Sequence, residues 1–199
     1  MDKINTTANK MYIFLRKYSG LLLFASLSVL LWVLLMTNVG FANWYFSRHA
    51  NVLSWLIRPV FMIGFCYFAL KRNATLAAAM IFLTLLSSVF FPTPDVVNPT
   101  VEEFLAKEKE WILGPLSVMK LTEFGALIAG IFLLGYAFWR RSLKWGIILL
   151  FIIIFLKILW SVIYWGESAI TLVYVAVFTG IVTMIWIIFY RMRSQKKED

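Results

Sequence analysis

Six long apolar segments dominate the sequence and decide what the chain can fold into. They cover residues 21–41, 53–70, 74–91, 116–139, 145–165 and 169–190. Each approaches the roughly 20 residues that an α-helix needs to cross a hydrocarbon core of about 30 Å. A helix closes its backbone hydrogen bonds within one segment, as a lipid environment requires. The sequence therefore predicts an all-α integral membrane protein, a bundle of six transmembrane helices.

The composition excludes an ordinary soluble domain. Of the 199 residues, 62% are hydrophobic and only 15% are charged, whereas about a quarter of the residues in soluble domains are charged. The formal net charge of +9 could indicate nucleic-acid binding, but the basic residues stand in short groups at the ends of apolar segments. We therefore expect membrane lipids as partners and no nucleic acid.

The short basic groups predict the orientation of the bundle, because lysine and arginine are concentrated on the cytoplasmic side of membrane proteins. In a six-helix bundle the groups at 3–17, 71–72, 140–144 and 191–197 fall on one side. Both termini are therefore expected in the cytoplasm, and the compact loops suit a plasma membrane, in particular a bacterial inner membrane. Five regions follow: a basic N-terminal segment (1–20), helices 1–3 (21–91), an external connection (92–115), helices 4–6 (116–190) and a basic tail (191–199).

The external connection predicts a short amphipathic helix. Thr100 and Glu103 have the spacing of a capping box, which begins a helix, and Gly114-Pro115 ends it. Five apolar residues recur near helical spacing, with charged residues between them: Val101, Phe104, Leu105, Trp111 and Ile112. We expect this apolar stripe to face lipid or the bundle.

Lys157 lies within an otherwise apolar helix, where an ammonium group is costly unless it has a partner, a water-filled cavity or a function. At 1.5 Å per residue, Arg58, Glu123 and Lys157 lie about 7, 10 and 12 Å inside the external ends of their helices. Glu123 is the one carboxylate expected within the membrane, so we predict that it contacts Lys157. Lys120, on the same helical face as Glu123, is a competing partner. If Lys120 pairs with Glu123, the partner of Lys157 would be Tyr164, a backbone carbonyl, water or an anion.

Four residues share one face of the fifth helix, since their spacing is i, i+3, i+7 and i+10: Lys157, Trp160, Tyr164 and Glu167. With Arg58 and Glu123 they could line an outward-facing polar pocket. Within the membrane it would have one excess positive charge, since Arg58 and Lys157 outnumber Glu123. Such a pocket would favour a small anionic ligand or a lipid headgroup. Two simpler explanations stand beside it. Arg58 is shallow enough to reach the lipid headgroups, and Lys157 with Glu123 could be a purely structural pair.

The sequence contains no glycine-rich phosphate loop, HExxH pattern or Cys-x-x-Cys pair, and one histidine with one cysteine cannot build a zinc site. We therefore expect no metal, no cofactor and no catalytic residue, and an enzyme ranks last among the functions. Two others stay open. The chain is a small transporter, channel-like protein or membrane-embedded subunit, or else a non-transporting scaffold or lipid-binding protein, with other subunits or a homo-oligomer as further partners.

Overall fold

The computed structural model describes the backbone of residues 2–195 and the side chains of residues 18–170 and 173–190. The predicted basic tail therefore lies largely outside the described residues, as do the side chains of the basic N-terminal segment. Within the described part the chain is helical and contains no strand, which confirms the all-α class.

Residues 2–195 contain nine α-helices: α1 (Asp2–Thr37), α2 (Val39–His49), α3 (Leu53–Leu56), α4 (Arg58–Leu70), α5 (Ala74–Leu86), α6 (Pro99–Leu113), α7 (Val118–Trp139), α8 (Leu143–Trp165) and α9 (Ile170–Gln195). Short 3-10 helices follow α5 at Ser87–Val89 and α8 at Gly166–Ala169.

Five helical segments are long and apolar enough to cross a membrane: Tyr18–Thr37, Leu53–Leu70, Val118–Trp139, Leu143–Ala169 and Val173–Tyr190. The chain is therefore treated as a membrane protein. The third predicted segment, 74–91, forms the shorter apolar helix Ala74–Val89. Its packing between α1 and α4 makes it part of the same bundle, although its length alone does not qualify it as a span.

Helix α6 covers one end of the bundle, which we call the α6 end. Its stripe of Val101, Phe104, Leu105 and Ile112 is buried in a cluster with the end of α1, with α2 and with Trp165 of α8. The N-cap is Asn98, two residues before the predicted Thr100. Asn98 Oδ1 accepts a hydrogen bond from the Thr100 N–H at 2.9 Å, and Pro99 suits the first helical position.

The opposite end of the bundle carries the basic turns between α4 and α5 and between α7 and α8, and we call it the basic end. Arg72 Nε donates to the carbonyl of Trp139 at 3.3 Å, so the two turns lie side by side. Arg72 and Arg141 both have a φ of 56° and close their helices in the left-handed conformation common at helix ends. The basic groups at 71–72 and 140–144 thus share one end, as the sequence predicts.

A close contact between α7 and α8 gives a test of this packing. A Cβ at Gly146 would lie 2.8 Å from the ring of Phe138, which is fully buried and has no room to move. We expect Gly146→Ala to lower the free energy of unfolding by about 1–3 kcal/mol through overpacking. Thermal unfolding in detergent measures this change.

Gly125→Ala on α7 is the matched control, because a Cβ there meets nothing within 4 Å. Alanine is a better helix former than glycine by about 1 kcal/mol, so this variant should be neutral or slightly stabilised. Equal behaviour of the two variants would contradict the contact.

Candidate functional site

Arg58 points into the α6 end of the bundle. Its Nη2 donates to Ser88 Oγ at 2.9 Å and lies 3.0 Å from His49 Nε2. The two Nη2 hydrogens are thus used, whereas the buried Nε has no hydrogen-bond partner among the described residues. The simpler explanation in which Arg58 only reaches the lipid headgroups is therefore wrong, because the guanidinium is engaged by protein.

His49 ends α2 and is held as a neutral ring. Its Nε2 faces the Arg58 donor, so Nε2 is assigned as the acceptor and the proton is placed on Nδ1, which lies 3.0 Å from Ser54 Oγ. The Trp55 indole nitrogen lies 2.9 Å from the same Nδ1, and in this assignment its N–H is taken by the His49 carbonyl. Trp55 Nε1 donates to the His49 carbonyl at 2.8 Å. Burial, followed by the charges of Arg58 and Lys157, lowers the pKa of His49 well below its ordinary value.

A chain of hydroxyl groups continues from Arg58. Ser88 Oγ, which accepts from Arg58, lies 2.7 Å from the Tyr45 hydroxyl, and that hydroxyl donates to the Leu85 carbonyl at 2.7 Å. Donors and acceptors balance when Ser88 donates to Tyr45. Burial raises the pKa of Tyr45, and the charge of Arg58 opposes this shift. The chain ties α2, α4 and the end of α5 together around one cation.

Glu108 is the acidic residue on the buried stripe of α6. Glu108 lies on the same helical face as Val101, Phe104 and Ile112. The Phe104 ring, one turn before Glu108, packs on Trp55 at 5.7 Å and on Trp165 at 4.9 Å. Burial raises the pKa of the Glu108 carboxyl, and the charges of Lys157 and Arg58 oppose this shift. Glu108 therefore lies within electrostatic reach of both cations.

Lys157 lies on the inward face of α8. Leu150, Ile154, Ser161 and Trp165 follow the same helical spacing and are buried or half-buried. Protein atoms crowd around Lys157, and the charged groups that act on it are Arg58 and Glu108, yet its side chain is accessible. Lys157 is therefore an accessible ammonium group on the helical face that carries the buried Leu150, Ser161 and Trp165.

Ser161, one turn after Lys157 on that face, is fully buried and its Oγ has no hydrogen-bond partner in the described part of the chain. Other helical hydroxyls, such as Thr84 and Thr183, donate to the carbonyl four residues earlier at 2.8 Å. Ser161 does not. Arg58, Glu108 and Lys157 form what we call the inner cluster, and Ser161 adds an unused polar group beside it.

Glu123 has other partners, so the predicted contact with Lys157 is wrong. Its Oε2 accepts from Trp111 Nε1 at 3.0 Å and its Oε1 from Trp160 Nε1 at 2.9 Å. Among the described side chains the ion pair within 4.0 Å is Lys107 with Glu103 on α6. Two indole donors from α6 and α8 satisfy both carboxylate oxygens and leave no need for the ammonium group.

Lys120 does not compete for Glu123 either. It is buried, and its Nζ donates to the carbonyls of Ile112 at 2.7 Å and Gly114 at 2.8 Å. Both carbonyls belong to the end of α6, where helical carbonyl groups lack partners and the helix dipole favours a cation. Lys120 therefore caps α6.

The four residues predicted to share one face of the fifth helix, which is α8 in the structure, have different surroundings. Trp160 turns to Glu123, and the exposed Tyr164 hydroxyl donates to Met119 Sδ on α7 at 3.6 Å. Glu167 is exposed in the turn after α8. Lys157 alone of the four faces the inner cluster, so the structure brings together Arg58 and Lys157 from the predicted site and separates them from the rest.

Three residues of the site were missed from the sequence: His49, Glu108 and Ser161. A signal for Glu108 was present, because residues 101, 104, 105, 108 and 112 share a helical face and make it the charge on an apolar stripe. His49 and Ser161 gave no comparable signal. The role of His49 depends on how the turn between α2 and α4 folds Ser54, Trp55 and Arg58 back onto the ring, and that of Ser161 depends on its burial.

The comparisons with known proteins add no constraint: no family model, no curated protein and no solved structure matches the chain. Among the residues that the structure describes, no group of three or more His, Cys, Asp or Glu residues could hold a metal ion. The chemistry of the site therefore has to be argued from its own side chains.

His49 is the only histidine in the chain, so selective ¹⁵N-histidine labelling reports on it alone. We expect NMR spectra of the folded protein to show an unprotonated Nε2 that does not titrate at the ordinary histidine pKa of about 6.5. The unfolded chain takes up this proton and the folded chain resists it. His49 therefore lowers the free energy of unfolding as the pH falls below that value. Titration of the folded protein near pH 6.5 would contradict the assignment.

The Glu123 contacts predict a structural role. Glu123→Ala should lower the free energy of unfolding by about 1.5–3 kcal/mol, because two indole N–H groups lose a charged acceptor. Thermal unfolding followed by tryptophan fluorescence measures this loss. Glu110→Ala, at an exposed position of α6, is the control and should change stability little. A stable Glu123→Ala protein would show that the indole contacts do not hold α6.

Proposed function

We propose that the chain is a membrane protein that binds an oxyanion at the inner cluster, as a free solute or as a lipid headgroup, and that it works as a small carrier for that anion. The observation that carries the proposal is the charge balance of the inner cluster: two cations within electrostatic reach of a single carboxylate.

The charge balance favours an anionic ligand. With Glu108 ionised, Arg58 and Lys157 leave the inner cluster with an excess of one positive charge, and His49 adds none because it is neutral. An uncompensated ion inside a protein costs several kcal/mol even after relaxation. A bound anion would supply the missing negative charge. The sequence predicted the same kind of ligand, but for a pocket whose carboxylate was Glu123 and not Glu108.

The unused donors suit the geometry of an oxyanion. Among the described residues, the Nε–H of Arg58 is buried without a hydrogen-bond partner, and so is the hydroxyl of Ser161, which shares a face of α8 with Lys157. Guanidinium groups bind phosphate, sulfate and carboxylate groups through parallel N–H bonds. A ligand that accepts several hydrogen bonds at once would use both groups and the Lys157 ammonium.

The proposed orientation places this site toward the outside. The shared position of Lys71, Arg72 and Arg140 at the basic end supports a cytoplasmic basic end by the positive-inside rule. Six crossings, with Ala74–Val89 as the short third one, then keep both termini in the cytoplasm and put α6 on the external side. A bacterial inner membrane is the setting we propose for this arrangement.

A non-transporting lipid-binding or scaffold protein is the second candidate, favoured by the firm attachment of α6. Lys120 caps the helix end, Trp111 is hydrogen-bonded to Glu123, and Lys107 reaches Ser168 Oγ at 3.4 Å. A helix held at three points suits a fixed cover better than a moving gate. In that case the anion would be a resident lipid headgroup.

Sulfate binding to the purified protein in phosphatidylcholine nanodiscs tests the site. We expect Lys157→Met to weaken sulfate binding about tenfold or more, because a close charge contact with a ligand is worth roughly 1.5–3 kcal/mol. Lys144→Met removes the same charge from an exposed position at the basic end and should leave binding unchanged. An equal loss of sulfate affinity in the two variants would show that only the net charge of the protein matters, and it would overturn the proposed site.

Two further experiments distinguish a free anion from a lipid headgroup as the ligand. Uptake of labelled sulfate into proteoliposomes, lost in Lys157→Met, would support a carrier, whereas binding without uptake would favour the second candidate. Native mass spectrometry after extraction from phosphatidylglycerol membranes tests for a resident lipid, which the Lys157→Met protein should release. A folded wild-type protein that binds neither sulfate nor phosphatidylglycerol would overturn the proposal.

A further inference from the structure

Glu108 and a bound anion would compete for the same two cations. Glu108 comes from the cover helix α6, whereas Arg58 and Lys157 come from α4 and α8 within the bundle, so the acid reaches the cations from the side on which α6 closes the cluster. No hydrogen bond within the described part of the chain fixes the Glu108 carboxylate. Its charge therefore depends mainly on its burial and on the two cations.

We propose that protonation of Glu108 is linked to anion binding, so that the protein takes up the anion together with one proton. This inference rests on the proposed function and adds the regulation of the same site. The proton comes from water at the α6 end and adds to a carboxylate oxygen of Glu108, and no other bond forms or breaks.

The direction of the linkage follows from the charges. Burial favours the neutral carboxyl and raises the pKa of Glu108, while Lys157 and Arg58 hold the carboxylate ionised. An anion between these cations offsets their effect and adds a like charge close to the carboxylate, which favours its neutral form. By reciprocity, protonation of Glu108 must strengthen anion binding to the same extent.

The other groups that face Glu108 do not replace it as the proton acceptor. On α2, Tyr45 is a neutral phenol of raised pKa, and His49 has its free nitrogen blocked by Arg58. On α1, residues 19–37 include no ionisable side chain. Glu167 in the turn after α8 is exposed. On α6 itself, Glu103 is paired with Lys107.

The linkage has a consequence for transport. An anion that enters with a proton brings one negative charge fewer into the bundle than the same anion alone. The inner cluster then changes from two cations and a carboxylate to two cations, a neutral acid and the ligand. This exchange keeps the summed charge of the inner cluster low in both states and allows the anion to bind without an added counter-ion.

Sulfate affinity measured between about pH 5.5 and 8 tests the linkage, because sulfate keeps its charge over this range, so that a pH dependence of binding comes from the protein. We expect the wild-type affinity to rise as the pH falls, approaching about tenfold per pH unit where one proton is taken up. Glu108→Gln imitates the protonated acid and should bind sulfate tightly with no pH dependence. Glu110→Gln, exposed on the same helix, should keep the wild-type slope.

A second measurement needs no variant. Mixing wild-type protein with sulfate in weakly buffered solution should remove close to one proton per bound anion, read with a pH indicator. The ¹⁵N-histidine spectrum should keep its unprotonated Nε2, which assigns the proton to Glu108 and not to His49.

The outcomes separate this inference from the proposed function. Sulfate binding that is lost in Lys157→Met but does not vary with pH would overturn the linkage and leave the anion site standing. A Glu108→Gln protein that keeps the pH slope, or that is folded and does not bind, would also overturn the linkage. Absence of binding in the wild-type protein at every pH would overturn the proposed function itself.

Discussion

The guanidinium of Arg58 has to be held inside a bundle of apolar helices, and the contacts that hold it organise the α6 end. His49 and Ser88 each take one Nη2 hydrogen, and Tyr45 extends the chain to the end of α5. His49 and Tyr45 come from α2, close to Arg58 in sequence, whereas Ser88 comes from the turn after α5 and lies 43 residues after Tyr45. Satisfying one partly buried cation thus fixes the relative positions of three elements and keeps the histidine neutral.

Helix α6 completes this arrangement and also brings in the opposing charge. Lys120 and the pair of Trp111 with Glu123 attach its C-terminal half to α7 and α8 through buried polar contacts, which are specific in direction and costly to break. These contacts fix the orientation of α6 about its own axis, and in that orientation its apolar stripe packs against the bundle. That orientation turns Glu108 toward Arg58 and Lys157, so the attachments of the cover and the charge of the site depend on one another.

Much of the site was within reach of the sequence, but its pairing was not. Arg58 and Lys157 stood out because a charge in an apolar segment is expensive, and the structure places both at the inner cluster. Glu123 stood out for the same reason, yet two tryptophan side chains satisfy it. Glu108 was overlooked because it lies in a connection rich in charge, where one more carboxylate carries no signal unless its helical face is considered.

The sequence by itself determined the helical class, the membrane-spanning length of five segments, the amphipathic α6 and the grouping of basic residues at one end. These properties depend on spacing and composition within single segments, which fix helix faces and hydropathy locally. Only the tertiary structure decided that Glu108, and not Glu123, faces the two cations and that His49 shares the donor of Arg58. Such pairings depend on how each helix is rotated and shifted against its neighbours, and packing across the whole bundle sets that rotation.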